Sequence, residues 1–115
     1  MGLYRVGAGL FIIDKNRDIL LLKRSENTTY PLTWSLPGGS MESFDCLNSI
    51  FPKEKYEKHE YFSCAVRETK EETNLDFLNE KFTTIHNIHS NSSKYTYKYR
   101  TFVVLVEDLQ KINPK

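Results

Sequence analysis

Cysteine is scarce in this chain. Cys46 and Cys64 are the only two in 115 residues, and neither their number nor their spacing makes a disulfide framework or a zinc-ligand set. Reduced thiols in a cytoplasmic compartment are the expectation. Long hydrophobic runs are lacking too: stretches such as Leu10–Ile13 and Ile19–Leu22 stop far short of the roughly 20 residues a membrane-crossing helix needs. Nor is there an excess of one charge. Sixteen Lys and Arg face 15 Asp and Glu, a formal net charge of +1, so no global field singles out nucleic acid or a membrane surface as partner. Arg5 sits too early in a short mixed segment for a secretory signal, and Val6 stands where a myristoylation motif wants Ser or Thr. Internal repeats and low-complexity segments are missing as well.

What is present suits one compact domain over residues 1–115: 39% apolar and 13% aromatic residues for a core, and 27% charged residues for a solvated surface. From Leu3 to Ile13 the chain is apolar, aromatic and β-branched, and Asp14–Asp18 follows as a turn cluster before Ile19–Leu22 resumes the apolar run. This pattern predicts two strands joined as a hairpin, with Lys23 and Arg24 leaving the second. Residues 31–42 are too broken by proline and glycine for a long element and too apolar for a free linker, which predicts a packed, shaped loop. Residues 43–58 are charge-rich and interrupted by Pro52, and read as an exposed excursion.

Glu60–Asn74 carries good helix formers, no Gly or Pro, and acids and bases at helical spacing, with Asn74 available to end it. At about 100° per residue, Phe62, Ala65, Val66, Thr69 and Thr73 share one side, which is expected to face the core. Glu68, Glu71 and Glu72 fall on the adjoining face, so three carboxylates converge. Like charges at this spacing destabilise an isolated helix by a few tenths of a kcal/mol per pair. A hard divalent cation offsets that repulsion, since Mg²⁺ prefers carboxylate oxygens. Arg67, four residues before Glu71, can brace that carboxylate. Alone, Arg-Glu-x-x-Glu-Glu also describes an ordinary solvated face. Upstream, however, Trp34-Ser-Leu-Pro-Gly-Gly-Ser-Met-Glu42 holds a diglycine bend where backbone can approach a metal or phosphate without a Cβ intruding.

Beyond the helix, residues 81–89 and 94–106 read as strands around a Ser90–Ser93 turn. Tyr95, Tyr97 and Tyr99 alternate along one face, with Lys94, Lys98 and Arg100 opposite; strand packing is the plain reading, and contact with RNA or a nucleotide base is the other. His86 and His89, three apart in a strand, point to opposite faces and make no metal pair. Strands on both sides of a single central helix imply an α+β domain with a mixed sheet.

These residues resemble the Nudix box, Gly-x5-Glu-x7-Arg-Glu-U-x-Glu-Glu-x-Gly-U with U a bulky aliphatic. Arg67-Glu-Thr-Lys-Glu-Glu-Thr-Asn-Leu75 is similar to its second half, and Pro37-Gly-Gly-Ser-Met-Glu42 to its first, with Gly39 at the opening position. The resemblance implies an α/β/α sandwich with the catalytic helix packed on a mixed sheet. It also implies Mg²⁺, or Mn²⁺ in its place, held by Glu68, Glu71, Glu72 and the Gly39 carbonyl, with Arg67 orienting the glutamates. The implied activity is pyrophosphohydrolysis of a nucleoside diphosphate linked to another moiety. Removal of an RNA 5′ cap, suggested by Lys53, Lys55 and Lys58, and a non-catalytic nucleotide- or RNA-binding module are the alternatives. Arg24, Trp34 and Glu42 are candidate substrate contacts, Trp34 being read first as loop packing. Oligomeric state stays open.

This chain also departs from the box. Arg67 stands 28 positions after Gly39 against 14 in the box, so 14 residues are inserted, placed at about 43–58. Counting eight back from Arg67 puts His59 where the box has its first glutamate, leaving Glu57 or Glu60 as stand-ins. Thr69 replaces an aliphatic and Asn74 the final glycine. Glu107 and Asp108 are the late-loop acids that resemble a further general base, and residues 109–115 read as the start of a second helix.

Overall fold

The computed structural model describes residues 3–23, 33–42, 45–46, 55–78, 80–91 and 95–111. The apolar N-terminal run forms a 12-residue strand, β1 (Leu3–Asp14). At its end the chain turns over Asp14–Asp18: the Asp14 N–H donates to the Asp18 carbonyl at 3.1 Å, and Arg17 takes φ 68°. The predicted hairpin is thus present but short. Ile19 bridges Ile13, the Leu20 N–H reaches the Ile12 carbonyl, and pairing with β1 then ends. Ile19 and Leu21 are exposed, and from this run Leu20 packs, partly buried, against the core. Next, β2 (Leu22–Lys23) pairs with β3 (Trp34–Ser35) as a separate two-stranded ribbon.

The segment expected to be a shaped loop contains β3 and, three residues on, β4 (Gly38–Ser40), which runs antiparallel to β1 with Gly38 opposite Gly9 and Gly39 opposite Ala8. β5 (Phe82–Asn91) and β6 (Tyr95–Val106) form the second hairpin, and β6 lies parallel to β1 over its whole length, from Leu3↔Tyr95 to Asp14↔Val106. The sheet order is β4-β1-β6-β5, mixed as expected.

The single long helix, α1 (Lys58–Thr73), begins two residues before the predicted start. Glu60 explains the difference: its buried carboxylate accepts the Glu57 backbone N–H at 2.7 Å, satisfying an orphan donor of the first turn. Asn74 ends the helix in the left-handed conformation, φ 64°, its N–H on the Lys70 carbonyl. Phe62, Ala65, Val66, Thr69 and Thr73 are all buried, as their spacing predicts. They meet Val6, Ala8, Leu10 and Ile12 of β1 and Phe102 and Val104 of β6, with Phe62 edge-on to Phe102 at 5.3 Å. Thr69 and Thr73 hide their hydroxyls by donating to the carbonyls four residues back.

Alternation therefore sends even-numbered residues of β1 and β6 toward α1 and odd-numbered ones to the other face. Among the described residues that second face carries no α-helix, and the last of them, Leu109–Lys111, form a short 3₁₀ turn. No described helix is long and apolar enough to cross a membrane.

Candidate active site

The acid face of α1 lies against the edge of the sheet, because β4 is the edge strand and α1 crosses it. Glu72, one turn after Glu68, accepts the Gly38 backbone N–H at 2.9 Å. Gly39 faces Glu68 so closely that a Cβ there would collide with the Glu68 carboxylate. The diglycine and the glutamates thus belong to one site: only a residue without a side chain lets edge backbone and carboxylate approach this far. The Gly39 carbonyl meanwhile accepts the Cys64 thiol at 3.6 Å. Burial, reinforced by the charge of Asp45, pushes that thiol up to about 12, so Cys64 stays protonated and serves as a donor.

Arg67 organises the rest. Its Nη1 donates to both Glu71 oxygens at 3.1 and 3.2 Å, as the helical spacing predicts, and to Glu68 Oε1 at 3.0 Å. Its other edge meets a group the sequence reading overlooked. Nε and Nη2 form a two-point pair with Asp45 at 2.9 and 3.0 Å, and Nη2 also reaches the Ser40 carbonyl at 2.7 Å. Burial alone would lower the guanidinium pKa, but the bonds to Asp45 and Glu71 outweigh it and raise it. Glu68 is raised from its ordinary value by burial, against the pull of Arg67.

Asp45 belongs to the segment read as an exposed excursion, yet Asp45, Cys46 and Tyr56 are all buried. Glu42 helps to place it. The Glu42 N–H donates to Asp45 Oδ2 at 2.9 Å and its carbonyl accepts the Asp45 N–H, while the Glu42 residue itself is exposed. Trp34 does not pack into the loop as first read: it is 63% exposed on β3, opposite Lys23. Arg24 and Lys53 lie outside the described residues.

Among the described residues, no three or more Asp, Glu, His or Cys side chains converge on one metal position. Glu68 and Glu71 turn to Arg67, and Glu72 turns to Gly38. The late acids lie elsewhere. Glu107 pairs with Lys15 at 2.8 Å and Asp108 receives the Gln110 N–H, beside a cleft of about 620 Å³ lined by Leu75, Phe77, Leu105 and Lys111. Glu68, Glu71 and Glu72 do not line this cleft, although Leu75, three residues beyond Glu72, does.

The model of the NUDIX domain matches residues 3–115. The chain belongs to the Nudix family. As a Nudix hydrolase it acts on phosphoric anhydride bonds. Solved structures agree in fold. A MutT protein from Methanosarcina mazei is 21% identical over 99% of this chain and 70% of its own, with a TM-score of 0.65. A NUDIX hydrolase from Alicyclobacillus acidocaldarius is 16% identical over 100% and 74%, with a TM-score of 0.76. The Ap4A hydrolase of C. elegans is 20% identical over 100% and 76%, with a TM-score of 0.57. No curated protein sequence matches this Nudix chain. Asp45 stands six positions after Gly39, the separation the Nudix box gives its first acid, so counting forward from the glycine finds the residue that counting back from Arg67 missed.

Proposed function

We propose that this Nudix hydrolase is a divalent-metal-dependent pyrophosphohydrolase of nucleotide substrates, cleaving a nucleoside diphosphate linked to a further group. One observation carries the reading: Glu68 and Glu72 meet the backbone of Gly38 and Gly39 at the open edge of the sheet, where a side chain on Gly39 would displace Glu68. All the donors there are hard oxygens, the set that Mg²⁺ or Mn²⁺ prefers over softer ions. Glu68, Glu71, Glu72 and the Gly39 carbonyl would hold the cation, and the missing side chain at Gly39 lets the Glu68 carboxylate come up to the strand edge. Such a cation, when bound, screens charge on the phosphoryl oxygens and lowers the pKa of a water.

The chain's own residues supply placement. Arg67, fixed by Asp45 and Ser40, sets the rotamers of Glu68 and Glu71, the carboxylates that would hold the metal. Asp45 fills the role of the first acid of the box, and on that reading the 14 inserted residues fall between Asp45 and Arg67, reaching into the first turn of α1, rather than starting at residue 43.

Glu72→Gln keeps the shape of the side chain and removes its charge. Across a panel of nucleoside triphosphates and nucleoside diphosphate derivatives, with and without Mg²⁺ or Mn²⁺, it is expected to lose more than about 100-fold of the metal-dependent rate, the scale of one lost charge-stabilising group. Full activity in this variant, or unchanged turnover of the wild type after chelation, would overturn the assignment.

A further inference from the structure

The face of the sheet turned away from α1 holds a feature that the hydrolytic chemistry leaves unused. Gly7 and Gly9 of β1 and Gly38 of β4 present no side chains there, and the ring of Tyr99 occupies the space: Cβ atoms at Gly9 and Gly38 would strike its hydroxyl, and one at Gly7 would lie 3.2 Å from Cδ2. Tyr99 therefore lies across two neighbouring strands instead of standing off the sheet, and Gly7 and Gly9 are buried beneath it. Tyr97, next on the same face of β6, sets its ring parallel to that of Tyr99, 10° between planes and 6.0 Å between centroids. Two half-buried, parallel-stacked rings thus form an aromatic patch on this face.

Its position gives it meaning. The Tyr99 hydroxyl abuts Gly38, and the N–H of that same glycine donates to Glu72. A single glycine thus separates the aromatic surface from the acid edge. A ligand with an aromatic ring at one end and phosphates a few ångströms away would span both, and a nucleotide has that form. Burial, with Tyr97, Cys64, Glu72 and Glu68 nearby, raises the Tyr99 phenol well above its ordinary range, so its oxygen stays neutral beside the acids and remains a donor.

We propose that Tyr97 and Tyr99 form the platform on which the nucleobase of the substrate stacks, with its phosphates at the Glu68 and Glu72 edge. The inference rests on the nucleotide reading above. Stacking on a flat ring is tolerant of base identity, so binding should depend on the presence of a base more than on which base it is.

Titration calorimetry of the intact protein with Mg²⁺ present, using AMP, GMP, CMP and UMP against ribose 5-phosphate, tests it. The wild type is expected to bind the four monophosphates at least about tenfold more tightly than the base-free sugar phosphate. Tyr97→Ala should remove about tenfold of that advantage, leave ribose 5-phosphate binding unchanged, and be matched by Tyr97→Leu, while Tyr97→Phe retains it. Should Tyr97→Ala lose its circular dichroism signature, the Leu and Phe pair carries the comparison. Equal affinity for AMP and ribose 5-phosphate in the wild type, or an undiminished preference in Tyr97→Leu, overturns the platform. Monophosphates contain no anhydride, so the titration is independent of turnover: a protein that prefers bases yet hydrolyses nothing refutes the reaction, and an active one indifferent to the base refutes the platform.

Discussion

Replacing Gly39 with alanine adds one methyl group at the point where sheet edge and catalytic helix come closest. That methyl would sit 2.8 Å from Glu68 Oε1 and closer still to the other carboxylate atoms, whereas ordinary contacts begin near 3.4 Å. The carboxylate must retreat by on the order of 1 Å, a misplacement that can cost about 100-fold in rate. Folding should suffer little. Gly39 has no positive φ, so alanine meets no backbone penalty, and the group that yields is the free end of a flexible side chain. The same change at Gly38 differs in kind, because there the methyl meets the Ala8 carbonyl at 2.6 Å and the Gly9 Cα at 2.7 Å, atoms of the sheet itself. Gly39→Ala is therefore expected to melt within a few degrees of the wild type while metal-dependent release of nucleotide product falls about 100-fold, and Gly38→Ala is expected to lose stability first. Thermal unfolding followed by circular dichroism, beside steady-state kinetics on one responsive nucleotide, separates the two. A Gly39→Ala protein with wild-type kcat would show that the proximity of Glu68 to the diglycine has no catalytic weight.

Asp45→Ala leaves the Arg67 guanidinium without its two-point partner in a place where the Asp45 side chain is 3% and the Arg67 side chain 17% exposed. A loss of up to about 3 kcal/mol is expected from urea denaturation, short of the largest values because Glu68, Glu71 and Ser40 still engage the guanidinium; a loss below about 0.5 kcal/mol would mean that the pair is dispensable. Asp14, buried at the end of β1, accepts the N–H groups of Leu109, Asp18 and Asn16, which hold its carboxyl below its ordinary value. Its contribution is therefore complete above the unfolded value near 3.8 and is lost as the pH falls through the lower folded value. Urea midpoints of wild type and Asp14→Asn should stay apart at neutral pH and draw together in acid below about pH 4, and a gap independent of pH would contradict this account.

Several parts of this structure are written in local sequence. The 3.6-residue period of residues 62–73 is enough to choose the buried face of α1, to bring Arg67 within reach of Glu71, and to put Glu68, Glu71 and Glu72 on one side, because all of these follow from helical pitch alone. Asn74 is legible for the same reason, since few residues other than glycine and asparagine adopt φ 64° cheaply. Residues 3–13 read as a strand from composition, and the turn at Asp14–Asp18 from its polar cluster.

Pairings between distant segments are a different matter. The bond from Gly38 to Glu72 spans 34 residues and the Arg67–Asp45 pair spans 22. No periodicity encodes either one. Both exist because β4 takes the sheet edge beneath α1, and that register is chosen by the packing of the whole core. The parallel pairing of β1 with β6 has the same origin, as does the platform of Tyr97 and Tyr99: alternation tells that the two rings share a face, but only the fold lays three glycines of two other strands under and beside them. Local sequence thus determines the helix, its acid face and the strands, through pitch and pleat. Which backbone those acids meet, and which buried acid steadies their arginine, is decided by tertiary packing, because it depends on contacts between segments whose separation along the chain carries no signal of their separation in space.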